Sequence, residues 1–208
     1  AEVTGYVNAI SNYIYLANTG DKNPDANNLP IYAADQTDAL LSGVEAQVKV
    51  SAQPWLQVGG STAIVEGTGD NLGAEQGDGD LPLLPANTFG GFVRWVPAGT
   101  GVLTNPSVEV SMQHARDQDA AGRFEPFAQF DDLDTGGPNP PFGTASTQAY
   151  TRVDARAQGT YGGLGVPLTL TVGVRNLFDA TYRDFLDTYK GYALSPGRDV
   201  RLTLSARW

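Results

Sequence analysis

From residue 199 to 208 the chain alternates without a break. Val200, Leu202, Leu204, Ala206 and Trp208 share one parity; Arg201, Thr203, Ser205 and Arg207 share the other. The same period of two recurs upstream. Leu168, Leu170, Val172 and Val174 oppose Thr169, Thr171, Gly173 and Arg175; Val153, Ala155, Ala157 and Tyr161 oppose Arg152, Asp154, Arg156, Gln158 and Thr160. Val108, Val110 and Met112 oppose Glu109, Ser111 and Gln113, and Val44, Ala46, Val48 and Val50 oppose Glu45, Gln47, Lys49 and Ser51. Phe89, Val93 and Trp95 oppose Gly90 and Arg94. Lys49, Arg94, Arg152, Arg156, Arg175, Arg201 and Arg207 all take the polar parity and none the apolar one. Side chains alternate across a strand, so each segment reads as a β-strand with one apolar and one polar face. A soluble sandwich with one wet face alternates in the same way. Its strands are typically ~5–6 residues long, whereas these run to about 10 or more, the length that crosses a bilayer at a tilt. A lipid-facing charge at the bilayer midplane costs ~2–4 kcal/mol, which explains a face kept free of them. The reading favoured is an all-β, antiparallel transmembrane β-barrel.

Period-two reading along the chain predicts about eight strands, at 3–17, 38–52, 55–67, 87–97, 106–116, 149–161, 166–185 and 198–208. Three connections are short: Ala52-Gln53-Pro54, 97–105 and 162–165. Four are long: 18–37, 66–86, 117–148 and 186–197. The long ones fall at one end of the array and the short ones at the other. A structureless loop of roughly 30 residues is foreign to a compact soluble domain but normal on the outer side of an outer-membrane barrel. Trp95 and Trp208 fall at the short-turn end and Tyr182 toward the long-loop end, the pattern expected of two aromatic girdles.

The net charge of −10 argues against non-specific nucleic-acid binding. Most of the 23 acidic residues lie in or beside the long loops, among them Glu66, Asp70, Asp78 and Asp80 in one and Asp117, Asp119, Asp131, Asp132 and Asp134 in another. One rim is therefore acidic while the strand interior is net basic. There is no cysteine and no apolar run of transmembrane-helix length. The opening AEVTGYVNAI lacks the basic and apolar regions of a signal peptide, so the expectation is a mature chain, a fragment or a trimmed one.

In TVGVRNLFDATYRDF, residues 171–185, the alternation breaks at Asn176-Leu177-Phe178-Asp179 and more aromatics follow. Together with Tyr182-Arg183 and the later PGRDVRLTLSARW, this resembles the C-terminus of TonB-dependent outer-membrane receptors. ISNYIYLANTG, LPIYAADQTDALLSGVEAQVKV and LPLLPANTFGGFVRW also look like segments of that family, in its order. Asn and Asp are turn-prone, and the expectation is a bulge that bends a long strand as it leaves the bilayer. The resemblance implies a terminal assembly signal carried by Leu202, Leu204, Ala206 and Trp208 and read by the barrel-assembly machinery. A full receptor has a plug domain, a TonB-contacting box and about 22 strands. Here a plug is not recognised, so residues 1–208 are expected to form either the last third of such a barrel or a closed eight-stranded one. TonB would then act through a plug outside this chain.

Catalysis has little support, since His114 is the only histidine and no triad or paired-histidine site can be completed. His114 reads as an interfacial side chain near the rim; as a metal ligand it would need Asp117 and Asp119. Asp78-Gly79-Asp80 resembles a calcium loop without the full ligand spacing, and reads as solvated acids or a weak cation contact. Asp131, Asp132 and Asp134 are candidates for contact with a cationic ligand or with divalent ions bridging lipopolysaccharide; no other cofactor is implied. Arg152, Arg156, Arg175 and Arg201 read as an inward network balanced by Glu45, Glu109 and Asp154, facing a plug or a passing anionic chelate. The expected function is transport, as the barrel segment of a receptor for a metal chelate (siderophore-like) or metal ion, because NYIYL, LPIY and FLDTYKGYALSPGR look most like the metal-uptake branch. The alternative is a stand-alone barrel with a structural, adhesion or partner-binding role. Expected surroundings are outer-membrane lipid, lipopolysaccharide and the rest of the receptor barrel or another envelope protein, with periplasmic termini and extracellular long loops.

Overall fold

The structure is a computed structural model and describes residues 1–26, 29–72, 77–118, 147–187, 190 and 193–206. Among these the only helical piece is a 3₁₀ turn, Pro24–Ala26. Nine strands form one antiparallel sheet: β1 (Glu2–Asn23), β2 (Leu29–Gln53), β3 (Leu56–Leu72), β4 (Gly77–Asp80), β5 (Thr88–Trp95), β6 (Leu103–Ala115), β7 (Tyr150–Tyr161), β8 (Leu168–Arg175) and β9 (Asp199–Ala206). Eight follow one another as neighbours in the order β1-β2-β3-β5-β6-β7-β8-β9, and the short β4 pairs back onto β3. Among the described residues β1 pairs only with β2 and β9 only with β8, so the sheet has two open edges. The closed eight-stranded alternative, which needs β1 beside β9, is not what these residues form.

Directly paired residues of an antiparallel sheet project from the same face, so the register tests the parity argument. Arg94 stands between Gln57 and Glu109, Glu109 is opposite Arg156, and Arg156 is opposite Gly173, which is opposite Arg201. One ladder row thus joins the polar parity of six strands. The apolar parity forms the other face, where Val44, Val93, Val110, Met112, Leu170 and Leu202 are all substantially exposed. The usual arrangement of a globular protein is inverted: the broad apolar face meets the surroundings and the charges face the concave side. Trp95 and Tyr161 stand on that apolar face at the short-turn end, both about half exposed (50% and 41%).

Three expectations about element ends need correction. The segment 18–37 is not a loop: β1 and β2 continue pairing as far as Asn23↔Leu29, with register shifts after Ile10 and Asn18. A hairpin that protrudes beyond a membrane is held by its ladder and needs no apolar face, so the alternation that marks a strand in sequence fades there. Likewise β3 runs on to Leu72. Conversely, the long strand expected over 166–185 ends at Arg175. Asn176 and Asp179 both adopt the left-handed conformation, at φ 53° and 55°, which ends the strand in a turn rather than bulging it.

The buried apolar residues do not lie between sheet layers. Tyr15, Ala17, Ala39, Leu72, Leu81 and Leu84 form a cluster at the long-connection end, with Tyr13 and Leu41 packed against it. Leu41 and Ala39 carry the inward parity of β2, so the segment after β3 folds back over the inner face. Gly67 and Gly69 make this approach feasible: a Cβ at Gly67 would lie 3.0 Å from Leu84 Cδ1 and 3.1 Å from Leu81 Cδ1. The Leu81 N–H donates to the Gly67 carbonyl at 3.0 Å.

Candidate functional site

The concave face is the candidate site, because the strands set its side chains in rows. One row reads Glu2, Gln47, Ser61, Gly90, Gln113, Arg152 from β1 to β7. The next reads Lys49, Gly59, Phe92, Ser111, Asp154. A trough of about 620 Å³ runs along them, lined by Glu2, Lys49, Phe92, Glu109, Arg152 and Asp154 among others. The Phe92 ring lies over Gly59, where a Cβ would collide with it. Tyr6 covers Gly43 in the same way. The missing side chains let aromatic rings lie against the backbone and line the wall smoothly.

Polar contacts hold the row members in place. The Arg152 guanidinium donates to Gln113 Oε1 at 3.0 Å and forms an ion pair with Asp154 at 3.2 Å. Asp154 also accepts the Asn176 N–H at 2.8 Å, tying the wall to the segment after β8. Gln47 Nε2 donates to Glu2 at 2.7 Å, and Arg156 to Gln158 at 3.2 Å. Glu109 sits directly between Arg94 and Arg156, an arrangement of alternating charge that a sheet favours. Arg175 is opposite Asp199, and Arg201 lies 3.9 Å from Asp199 with both side chains exposed. Glu45 is opposite Thr4 and Ala63 and has no cation beside it in its row. The wall carries both signs of charge, so it offers hydrogen bonds and mixed electrostatics rather than an anion-selective surface.

The two segments singled out by resemblance clasp one another. Asn176, 1% exposed, accepts the Ala180 N–H with Oδ1 at 2.8 Å and donates to the Ala180 carbonyl with Nδ2 at 2.9 Å. Asp179 accepts the Arg198 N–H at 2.7 Å across Gly197, where a Cβ would sit 2.8 Å from the same oxygen. Leu177 donates its N–H to Val153 and accepts from Arg198 at 3.5 Å, while Phe178 is 74% exposed. Tyr182 does not join an outer girdle. It is buried and stacked on Tyr150 at 4.3 Å between centroids, and Tyr150 shares the inward row of Ala115. Tyr150 donates to Asp184 at 3.1 Å, and the Lys190 ammonium lies 3.6 Å over the Phe185 ring. Arg183 belongs to this same folded-back segment and is half-buried. Tyr150, Phe185 and Lys190 were missed in sequence; parity could have found Tyr150 alone.

His114 is on the apolar face, opposite Phe89 and Thr151, and shares a hydrogen bond of 2.9 Å with Thr151 Oγ1. Asp117 is exposed just beyond β6, and Asp80 is exposed in β4. Among the described residues no group of three or more His, Asp or Glu is placed to hold a metal ion. Asp119, Asp131, Asp132, Asp134, Arg207, Trp208 and the Asp78 side chain lie outside what is described. Leu202, Leu204 and Ala206 alternate outward along β9, and Leu202 and Leu204 rank among the most exposed apolar side chains.

The family model described as "TonB dependent receptor-like, beta-barrel" matches residues 1–177. The chain belongs to that family. It is an outer-membrane family of receptors and transporters and not one of enzymes. Solved structures agree on the fold of this TonB-dependent receptor barrel segment beyond the matched residues. "Copper transporter OprC" overlaps 95% of this chain with a TM-score of 0.65 at 16% identity, using 27% of its own length. A chain of the FpvAI–pyocin S2 complex overlaps 97% with a TM-score of 0.59 at 16% identity, using 23% of its length. The chain thus spans about a quarter of either. No protein curated for function matches its sequence.

Proposed function

We propose that this chain is one sector of the wall of a larger TonB-dependent receptor barrel that takes up a metal chelate or a metal ion. The carrying observation is the pair of open edges on β1 and β9, in a sheet whose apolar face is exposed and whose charges line the concave side. An unpaired edge in hydrocarbon leaves its backbone groups unsatisfied, at several kcal/mol each, so a membrane sheet must close on further strands. The concave wall then borders a lumen wide enough for a plug, and Arg94, Arg152, Arg156 and Arg201 meet its groups or the passing ligand. TonB supplies the work through that plug. The long connections face outward and the short turns face the periplasm. The fold is shared with a copper transporter, and that likeness supports a metal ion or its chelate as the substrate class.

Cysteines at Val3 and Val200, on the outward faces of the two edge strands, test the closure. The receptor carrying both is oxidised in the membrane and digested. The expected result is no Val3–Val200 disulfide, with each edge instead cross-linking to strands outside residues 1–208. A quantitative disulfide between them means a self-closed small barrel, which refutes the transport reading and favours a structural role. Uptake of a labelled copper or ferric chelate by cells carrying the intact receptor tests the cargo, and uptake equal to that of a receptor-deletion strain refutes it.

A further inference from the structure

The three short turns, Pro54-Trp55, 96–102 and 162–167, carry no charge, and Thr100 is the one polar side chain among them. A turn that faces water ordinarily draws on Asn, Asp and Ser as well as Gly and Pro. Here Gly and Pro are joined by Trp55, Val96, Ala98, Val102, Leu164 and Val166. Trp55, Val102 and Leu164 are all exposed, Leu164 the most at 67%. The nearest charges up the adjoining strands, Lys49, Arg94, Glu109 and Arg156, take the concave face. The turns also satisfy one another's backbones. Val96 donates its N–H to the Trp55 carbonyl at 2.8 Å, and Gly162 donates to the Val102 carbonyl at 2.8 Å. Thr100 and Leu103 exchange N–H···O bonds of 2.8 and 3.1 Å. The Tyr161 ring lies over Gly163, where a Cβ would collide with it. Backbone groups paired in this way tolerate a poorly hydrated setting.

The height of the turns identifies what surrounds them. On β3 the outward parity is uncharged from Leu56 to Ile64, and its first charge is Glu66. Ten residues of strand at ~3.3 Å each, tilted by ~40°, span about 25 Å, the height of the apolar band of such barrels. With Glu66 at the outer limit of that band, Leu56 and the opposed Trp95 stand at its inner limit. The turns begin where the hydrocarbon ends, and the headgroup layer of one leaflet is about 5–8 Å deep. We infer that the three turns are seated in the phospholipid headgroup layer of the periplasmic leaflet, with Trp55, Val102 and Leu164 directed towards the acyl chains. The partner of this rim is a lipid surface. A charge-free rim continuous with the apolar face suits that layer, and it offers a periplasmic protein no ion pair.

This inference rests on the membrane-spanning reading above, and the test separates the two. Val102→Cys, Leu164→Cys, Val110→Cys and Asp21→Cys are made singly in the complete receptor, coupled to a nitroxide and studied in nanodiscs of phosphatidylethanolamine and phosphatidylglycerol. Collisions with oxygen, which concentrates in lipid, are compared with collisions with a water-soluble nickel chelate. Val110, outward in mid-strand, is the lipid reference, and Asp21, in the β1–β2 hairpin, the aqueous one. The ratio of oxygen to nickel collisions at Val102 and Leu164 is expected to lie several-fold above that at Asp21 and below that at Val110. A ratio at Val102 and Leu164 equal to that at Asp21, with Val110 high, puts the turns in water, open to a protein partner, and refutes the lipid rim alone. A low ratio at Val110 as well refutes the membrane-spanning reading and the rim with it.

Discussion

Asn176 is the residue on which the clasp between the end of β8 and the start of β9 depends, and a substitution series there separates its two roles. Asn176→Ala removes both hydrogen bonds to Ala180. Each is worth about 1 kcal/mol net, and placing alanine at φ 53° adds about 1–2 kcal/mol, for a total of roughly 3–4 kcal/mol. Asn176→Gly loses the same bonds but carries no Cβ into the left-handed region, so about 2 kcal/mol is expected. The loss is local, because Asn176 ties a connection to the wall rather than one strand to the next. Amide hydrogen exchange at Leu177, Ala180 and Arg198 reads it directly. At tenfold per 1.4 kcal/mol, exchange should quicken about 30-fold for glycine and by several hundred-fold for alanine. Amides of Val108 and Val110 in β6 should not change. Equal acceleration by the two variants would remove backbone strain from the account, and unchanged exchange at Arg198 would show that the two segments are held by something other than this clasp.

Three further outcomes are expected. Val110→Lys places a charge on the apolar face mid-strand and should cost about 2–4 kcal/mol in denaturant titrations of the reconstituted barrel, whereas the adjacent Ser111→Lys, facing the concave side, should cost far less; equal costs would void the face assignment. In intact cells an impermeant thiol reagent should label Asp21→Cys in the protruding β1–β2 hairpin and not Leu164→Cys in the β7–β8 turn, and the reverse would invert the topology. Removing Trp208 should sharply lower the amount of receptor in the outer membrane, and unchanged levels on immunoblots would dismiss its role in assembly.

What could be read from sequence was whatever the bilayer imposes. Lys49, Arg94, Arg152 and Arg156 share a parity because lipid excludes them from the other, and the register places them on one face. Beyond the lipid that pressure stops. The outer halves of β1 and β2 carry Asn, Asp and Pro, a composition that predicts a loop, although their ladder continues. Tyr182 looked like a girdle residue because aromatic rings serve membrane interfaces and buried stacks equally; only the fold-back that brings it to Tyr150 distinguishes the two. The folding of Leu81 and Leu84 over Gly67 is a contact between a connection and a strand, with no periodic trace in either. The short β4 has the composition of a loop, Gly-Asp-Gly-Asp, and owes its strand form to pairing with β3. Glu66 falls within the predicted loop 66–86; its place on a membrane-spanning strand follows only once β3 is seen to run through it.

Among the described residues, and apart from the small β4 flap, every strand is bonded only to strands adjacent in the order of the chain. A wall laid this way behaves like a row of barrel staves, each hairpin a self-contained pair. Duplicating or deleting one hairpin would shift the circumference by a fixed step and leave the register of all the others untouched. Since bore widens roughly in proportion to strand number, the gauge of the channel is a countable quantity that gene duplication can alter in whole steps, without redesigning a single existing contact.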